Sequence, residues 1–341
     1  MKKSLSLLLI VVMAMTLLVG CNKDANEGSK EGVASDDVIE ISFGHGFMPD
    51  TPHHKAALKF KEEVEGKTDG RVVVEVFPSG QLGSAREMFE GLQMGTQEIA
   101  LVPTARISGF VPELQIFDLP FLFPEREIAY EIMDGEIGQE LLDLFEEQSI
   151  KGVAFYEDGF KHFTANKELR TADDFKGLKF RTMESPIIMS QFKSLGANPV
   201  PIDFSELYNS LQLGVVEGQE NPLVTIHSMK FYEVQDYLIL SEHAYLGHVL
   251  LFADNWFNGL PEDIQQILIS TSRDVAKWQR EEVQKEEQKY LKEIEESGTN
   301  IIRLTDEEKE ALRETTLPVH EEYKNMFGDE ILNKIYDEIG R

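Results

Sequence analysis

The sequence predicts an α/β protein with two lobes, each built on a mixed sheet flanked by helices, and one long helix that spans both lobes. Three observations lead to this prediction. Short β-rich runs alternate with helical stretches from Val38 onward, a second set of such runs begins after residue 156, and an uninterrupted helical pattern covers residues 261–296. Alternating strands and helices are typical of a largely parallel sheet covered by helices. About three hundred residues are enough for two packed cores.

The first 37 residues are predicted to lie outside this folded part. Two lysines precede an apolar run that leads to Cys21, the only cysteine in the chain. This pattern is typical of a bacterial lipoprotein signal, in which residues 1–20 are removed and the cysteine thiol is lipidated. The alternative, a transmembrane helix, is disfavoured because the run is short for the ~20 residues that a bilayer core requires. Residues 21–37 are polar and rich in small residues, which predicts a flexible tether.

The chain is strongly acidic, with 33 basic and 61 acidic residues and a net charge of −28. Removing residues 1–20, which carry two lysines and no acids, makes the net charge −30. Such a surface repels nucleic acid and anionic lipid. We therefore expect no nucleic-acid partner and membrane contact through the lipid alone. An anionic ligand would have to be held by a few cationic groups in a cleft.

The first set of elements begins with two β-rich runs. Residues 38–43 (VIEISF) and 71–77 (RVVVEVF) are predicted strands, with a helix between them. Ser84 and Glu87 have the spacing of a capping box, which predicts a helix that runs to Met94. Residues 99–102 (IALV) are predicted to be a third strand.

A second set of strands and helices predicts a second lobe of similar build. It follows a predicted strand at residues 152–156, and its own strands are predicted at residues 178–180 and 199–202. Residues 237–240 and 249–252 are predicted strands that complete or connect the two sheets. A helix with a capping box at Asp203 and Glu206 is predicted over residues 203–213. We assign residues 38–158 with 247–285 to the first lobe, and residues 159–246 with 286–341 to the second.

The helical pattern of residues 261–296 would rise about 54 Å, which is longer than one small lobe is wide. We therefore predict that this helix bridges both lobes. The alternative, a coiled-coil arm, is disfavoured because the apolar positions do not keep a heptad spacing beyond the first turns. A last helix is predicted to begin at Thr305, capped by Glu308.

The sequence contains none of the catalytic patterns HExxH, GxSxG, GxxxxGK[ST] or GxGxxG. His53 and His54 are adjacent, so on a helix their side chains diverge and make a poor metal pair. We therefore expect no catalytic residue, no metal site and no cofactor. The alternative in another class is an enzyme acting on organic acids, with Glu220 and His162 as acid and base.

The candidate binding residues lie between residues 175 and 222. Arg181 follows the predicted strand 178–180, at the sheet edge where ligands bind in open α/β folds. Phe204 opens a predicted helix, from which an aromatic ring can wall a cleft. Glu220 and Asn221 lie in GQENP, a predicted turn whose amide and carboxylate groups suit recognition of hydroxyls or carboxylates. Taken alone, these features also fit an ordinary ion pair, a core ring and a polar surface turn.

Several stretches of the chain resemble the DctP-type substrate-binding proteins of TRAP transporters, the tripartite ATP-independent family. They are residues 77–102 (FPSGQLGSAREMFEGLQMGTQEIALV), 118–123 (DLPFLF), 158–166 (DGFKHFTAN), 178–181 (LKFR) and 218–222 (GQENP). The resemblance covers nearly the whole chain after the signal. It implies a type II periplasmic-binding-protein-like fold that closes over a carboxylate and delivers it to an ion-driven membrane permease.

The resemblance also implies roles for individual residues. The carboxylate-binding arginine of the family falls on Arg181, the asparagine of its GQEN motif on Asn221, and its cleft aromatic on Phe204. Many relatives carry a second arginine where this chain has Lys161, which keeps the charge but loses the planar fork of a guanidinium.

Two further stretches resemble cleft-lining segments of the other lobe. His45 and Phe47 follow the first strand, and Thr104 with Arg106 follows the third. We predict that all four residues contribute to ligand binding from the first lobe.

The resulting functional prediction is an extracytoplasmic, lipid-anchored receptor that acts as a monomer. It would bind a small organic acid and pass it to the membrane subunits of a TRAP permease. A receptor that feeds a sensor kinase is the alternative within the binding class. A dicarboxylate, a sugar acid, a keto acid and a hydroxy acid all remain open as ligands.

Overall fold

The computed structural model describes residues 38–341. The predicted signal peptide, the lipidated Cys21 and the tether of residues 21–37 all lie outside the described residues. Within residues 38–341, none of the helices combines the length and the apolar character that a bilayer span requires.

The described residues form ten strands. They are β1 (Ile39–His45), β2 (Val72–Phe77), β3 (Ile99–Pro103), β4 (Ile150–Ala165), β5 (Lys179–Thr182), β6 (Asn198–Pro201), β7 (Gly218–Pro222), β8 (Tyr237–Leu240), β9 (Tyr245–Ala253) and β10 (Asn300–Arg303).

The helices alternate with these strands over most of the chain. They are α1 (Pro52–Lys67), α2 (Ala85–Met94), α3 (Arg126–Asp134), α4 (Glu136–Asp143), α5 (Ala172–Phe175), α6 (Pro186–Ser194), α7 (Leu207–Gln212), α8 (Leu223–Ser228), α9 (Asp254–Asn258), α10 (Glu262–Glu296), α11 (Asp306–Thr316), α12 (Pro318–Phe327) and α13 (Glu330–Glu338). Short 3₁₀ helices cover Thr104–Arg106, Pro112–Asp118, Leu144–Gln148, Phe204–Glu206 and Phe231–Glu233.

The strands form two sheet halves that share the long strand β4. The first half has the order β2-β1-β3-β9-β4, in which β1 pairs in parallel with β2 and β3, and β9 is antiparallel to β3 and β4. The second half has β6-β5-β7-β4, with β8 and β10 beyond β4. Each half is therefore a mixed sheet, as predicted, and β4 passes from one half into the other.

Each sheet half is covered by helices on both faces. In the first half, neighbouring residues of β9 point to opposite faces, so Leu251 packs in a cluster with Phe89 of α2, while Leu250 packs in a cluster with Phe60 of α1. The second half has corresponding clusters, one containing Phe192 of α6 and the other Leu211 of α7. This arrangement confirms the predicted two-lobed α/β class.

The long helix α10 spans both sheet halves. It has 35 residues, which corresponds to about 52 Å of helix. Its first half contributes Leu268 to the α1 cluster, and Ile294 near its end packs in the cluster that contains Leu211. Pro261 is the residue before the helix rather than its first residue. The bridging role predicted for residues 261–296 is confirmed.

Local capping signals were reliable at two of the three predicted helix starts. Ser84 with Glu87 and Thr305 with Glu308 form complete capping boxes. Asp203 instead accepts from the backbone of Ser205 and opens a 3₁₀ turn, so the predicted helix over residues 203–213 is shorter.

Two predictions of secondary structure were wrong. GQENP is the buried strand β7 rather than a turn, because it pairs with β4 on one side and β5 on the other. The predicted last helix, from Thr305 to the region of Met326, is divided into α11 and α12, because Pro318 starts a new helix, which ends at Gly328 with φ 85°. Side chains of α12 and α13, such as Tyr323 and Leu332, pack in the cluster that contains Phe89.

Candidate ligand-binding cleft

A cleft of ≈ 720 Å³ opens between the two sheet halves. Phe47, which follows β1, and Arg106, which follows β3, line it from the first half. Arg181 of β5, Phe204 and Asn221 of β7 line it from the second half. The structure therefore brings five of the nine predicted ligand-binding residues to one cavity.

Arg181 is the cationic group in this cleft with the greatest burial. Its side chain is 1% exposed, and its Nε donates a hydrogen bond to the backbone oxygen of Ile202 at 3.0 Å. Its Nη2 has no hydrogen-bond partner among residues 38–341. Burial, and the charge of Arg106 nearby, lower the pKa of Arg181 to about 9. A buried guanidinium without an anion is costly, so the site is built to receive one.

Arg106 differs from Arg181 because it already has a partner. It forms an ion pair with Asp203, which precedes the 3₁₀ turn at Phe204. Arg106 belongs to the first sheet half and Asp203 to the second, so this pair joins the two halves across the cleft. The pair also neutralises Arg106. Arg86, which lines the cleft as well, pairs with Glu90, and this leaves Arg181 as the available positive charge in the cleft among the described residues.

Aromatic and amide groups complete the walls. Phe204 packs edge-on against Phe231 at a centroid distance of 6.3 Å, which holds its ring at the cleft. The Nδ2 of Asn221 donates to Oε1 of Gln219, its neighbour on the same face of β7. Asn221 is 3% exposed, so its amide is a buried polar group fixed on a strand rather than on a mobile loop.

Gly218 explains why the GQENP strand can lie between β4 and β5. A Cβ at this position would lie 2.5 Å from Cζ of Phe180 and 2.7 Å from the carbonyl oxygen of Thr164. Only a residue without a side chain allows this close approach. The glycine thereby fixes the register that carries Asn221 to the cleft.

Lys161 and Glu220 do not line the cleft. Their side chains are 0% and 1% exposed, and Nζ of Lys161 lies 2.8 Å from Oε1 of Glu220. Nε2 of His243 lies 2.7 Å from the other carboxylate oxygen. Burial alone would raise the pKa of Glu220, but the charge of Lys161 and the hydrogen bond with His243 outweigh it and hold this pKa at about 2. The two residues form a buried ion pair beneath the strand that carries Asn221.

His45 and Thr104 are buried behind the cleft wall. Nδ1 of His45 accepts from the backbone N–H of Phe47 at 3.1 Å, and Nε2 lies 3.1 Å from Nδ1 of His54. The hydroxyl of Thr104 donates to the backbone oxygen of Gly247 at 3.2 Å. His45 thereby contacts Phe47, which lines the cleft, and Thr104 contacts the backbone between Leu246 and His248, which line it as well.

Sequence reasoning missed Asp158 and His248, which both line the cleft. Asp158 begins the DGFKHF segment, in which the family resemblance points to Lys161 three residues later. His248 lies in β9, where it is the one histidine in the otherwise largely apolar strand YLGHVLLFA. A polar residue in an otherwise apolar strand is a signal that could have found it.

Asp158 is a buried acid at the cleft. Its side chain is 1% exposed, Oδ2 accepts a hydrogen bond from the hydroxyl of Thr225 at 2.8 Å, and Oδ1 has no partner among the described residues. Burial raises the pKa of Asp158 to about 7, and the charge of Glu157 acts in the same direction.

The cleft therefore combines one unpaired guanidinium, an amide, an aromatic wall and a buried acid. None of these groups forms a nucleophile with an adjacent base, which acyl or phosphoryl transfer would need. The arrangement suits recognition of a small molecule that carries a carboxylate.

Comparison with known proteins points to one family. A family model described as bacterial extracellular solute-binding protein, family 7 (DctP), matches residues 43–326. The C4-dicarboxylate-binding periplasmic protein DctP of Rhodobacter capsulatus is 36% identical over 296 residues, which cover 86% of this chain and 89% of that protein.

Two solved structures are similar over most of their length. A TRAP periplasmic solute-binding protein from Desulfovibrio salexigens with bound orotic acid is 37% identical, with a TM-score of 0.85, and the match covers 89% of this chain and 99% of that one. The sugar acid binding protein DctPAm from Advenella mimigardefordensis, in complex with galactonate, is 36% identical, with a TM-score of 0.86, over 89% of this chain and 98% of that one.

Proposed function

Because the chain belongs to family 7 of the bacterial extracellular solute-binding proteins, the DctP family, we propose that it binds a small organic acid and delivers it to a TRAP-type ion-driven permease. The R. capsulatus relative bears the name of a C4-dicarboxylate-binding protein, and the two similar structures hold orotic acid and galactonate. These three ligands share a carboxylate group.

The single observation that carries this proposal is the state of Arg181. A guanidinium that is 1% exposed and lacks an ion-pair partner among the described residues needs an anion from outside the chain. A carboxylate fits the planar fork of a guanidinium through two parallel hydrogen bonds. Arg181 is therefore proposed as the anchor of the ligand's acid group, with Asn221 and Phe204 as further contacts.

Lobe closure is the proposed means of communication with the permease. One charge-assisted hydrogen bond contributes about 1.5–3 kcal/mol, whereas micromolar affinity requires roughly 8 kcal/mol. Groups from both lobes must therefore converge on the ligand, which couples binding to closure. We keep the lobe boundaries as a proposal: residues 38–158 with 247–285, and residues 159–246 with 286–341.

The catalytic alternative receives no support from the positions of Glu220 and His162. Neither side chain lines the cleft. Glu220 is engaged by Lys161 and His243, and burial lowers the pKa of His162 to about 3. An acid–base pair needs at least one group within reach of the ligand.

A thermal-shift screen of organic acids tests the binding function. The panel contains dicarboxylates, sugar acids, keto acids and hydroxy acids, with neutral sugars of matched size as controls. An acid present at a hundred times its Kd is expected to stabilise the folded protein by about 2.7 kcal/mol. Stabilisation by neutral sugars alone would contradict the proposal. For an acid that stabilises the protein, uptake by permease vesicles with and without the protein distinguishes a transport receptor from a sensor receptor.

We also propose that Cys21 carries a lipid and holds a monomeric receptor at the outer face of the cytoplasmic membrane. The full-length protein produced in a bacterial host is expected to enter the detergent phase of a Triton X-114 extraction. The Cys21→Ser variant is expected in the aqueous phase, where size-exclusion chromatography should report a monomer. Detergent partitioning that persists in this variant would count against the lipid anchor.

A further inference from the structure

We propose that Asp158 accepts a hydrogen bond from a hydroxyl group of the ligand, so that the cleft takes a hydroxylated monocarboxylate in preference to a dicarboxylate. This inference rests on the function proposed above, and it names the class of acid. The known ligands of the similar proteins leave both classes open. The argument depends on the position of Asp158, on its incomplete hydrogen bonding and on the charges around the cleft.

Asp158 is positioned by a β-bulge in β4. Glu157 pairs with Gly247 and Gly159 pairs with Leu246, so Asp158 is an extra residue without a partner on β9. Gly159 makes the bulge possible because its φ is +118°, a conformation that residues with side chains rarely adopt. A bulge changes the direction of a side chain on an otherwise regular strand. Here it lies where β4 passes between the two sheet halves, and Asp158 lines the cleft.

Buried polar atoms around Asp158 lack partners within the described part of the chain. They are Oδ1 of Asp158 and Nδ1 of His248, two residues that line the cleft. Nε2 of His53 lies 3.9 Å from Oδ1 of Asp158, which is beyond hydrogen-bond distance. Buried polar groups in folded proteins nearly always have a partner. A ligand with hydroxyl groups can supply what these atoms lack, because a hydroxyl both donates and accepts.

The charges in the cleft disfavour a second carboxylate on the ligand. Arg181 can neutralise one carboxylate, while Arg106 is already paired with Asp203. A second carboxylate near Asp158 would place two acids together without a cation between them, which costs free energy in a buried site. A hydroxyl at the same place donates its proton to Asp158 and brings no charge.

An ammonium group of the ligand is the other donor from which Asp158 could accept a hydrogen bond. The surroundings favour a hydroxyl, because an ammonium is a donor only and would need several acceptors. Oδ2 of Asp158 is already occupied by the hydroxyl of Thr225. Burial raises the pKa of Asp158 to about 7 and outweighs the charge of Lys161, which acts in the opposite direction.

Calorimetry with matched four-carbon acids tests this inference. Three probes differ only in the group distal to the carboxylate: 4-hydroxybutyrate, succinate and 4-aminobutyrate. A fourth probe, D-erythronate, carries a hydroxyl group on each of its three carbons beyond the carboxylate. The wild-type protein is expected to bind D-erythronate at least about tenfold more tightly than succinate, which corresponds to one hydrogen bond of about 1.4 kcal/mol. 4-Hydroxybutyrate is expected to bind more tightly than either succinate or 4-aminobutyrate.

The Asp158→Asn variant is expected to bind D-erythronate about tenfold more weakly than the wild type does. The ratio of its affinity for D-erythronate to its affinity for succinate should therefore be smaller. Asp118→Asn is the matched control. Asp118 is also a fully buried acid, and burial raises its pKa to about 6, but it does not line the cleft. The control should keep the wild-type ratio. If Asp158→Asn fails to fold, Thr225→Val, which removes the donor to Oδ2, should shift the ratio in the same direction.

Tighter binding of succinate or of 4-aminobutyrate by the wild type would overturn the inference, and so would an unchanged ratio in the Asp158 and Thr225 variants. Failure of the four probes to bind, while other carboxylates stabilise the protein, would overturn it as well and leave the proposed function standing. The proposed function fails separately, when no carboxylate of the wider panel stabilises the protein.

Discussion

Replacing Arg181 with alanine is expected to lower the affinity for the ligand acid by at least about a hundredfold, because two charge-assisted hydrogen bonds of about 1.5–3 kcal/mol each are lost. The folded protein without ligand should be no less stable than wild type, since the variant removes a buried guanidinium that has an unpartnered Nη2. Calorimetry with the acid that gives the largest thermal shift measures the first effect, and urea unfolding measures the second.

Two further variants sharpen this experiment. Arg181→Lys keeps a positive charge but loses the planar fork, so its affinity is expected to fall between those of the wild type and the alanine variant. Arg86→Ala is the matched control, because Arg86 also lines the cleft but already pairs with Glu90 at 3.0 Å on its own helix. An Arg181→Ala protein with near wild-type affinity would show that the carboxylate is held elsewhere.

The second large effect is expected at Lys161. Replacing it with methionine leaves Glu220 buried without its cation, and breaking one side of a buried ion pair typically costs about 3–5 kcal/mol of folding free energy. The midpoint of urea unfolding should therefore fall strongly. The affinity of the folded fraction for the ligand should stay close to wild type, because Lys161 does not line the cleft.

The double variant Lys161→Met with Glu220→Leu is the control for this experiment. It removes both charges and is expected to recover most of the lost stability, since paired apolar replacements of buried ion pairs are often nearly neutral. Full stability of Lys161→Met together with lost affinity would favour the role that the sequence resemblance implied, in which Lys161 contacts the ligand directly.

These two residues illustrate how far site prediction from sequence reached. Arg181 was selected because it follows a strand, and strand ends meet at a defined edge of a sheet. It actually lies within β5, one residue before its end, but the edge argument still holds. Lys161 was selected only by position in a family pattern. Its pairing with Glu220 depends on the antiparallel contact of β4 with β7, and no local sequence pattern predicts this contact.

The length of β4 is a comparable case at the level of the fold. The sequence predicts a strand over residues 152–156, but the strand runs over 16 residues and enters both sheet halves. Its central part contains Glu157, Asp158 and Lys161, which are charged residues that ordinarily argue against a buried strand. Their charges are tolerated because partners such as Thr225 and Glu220 come from distant segments.

The sequence by itself determined the fold class, the bridging helix, the family and the guanidinium that is proposed to anchor the ligand. The fold class and the bridging helix follow from local periodicity, capping and spacing, whereas the family and the role of Arg181 follow from the resemblance of motifs such as LKFR and GQENP to those of the family. Only the tertiary structure decided that Lys161 is engaged within the protein, that Arg106 is paired with Asp203, and that Asp158 turns into the cleft. The reason is physical: whether a charged side chain is free to bind a ligand depends on which groups of the folded chain already neutralise it, and those groups lie far away in sequence.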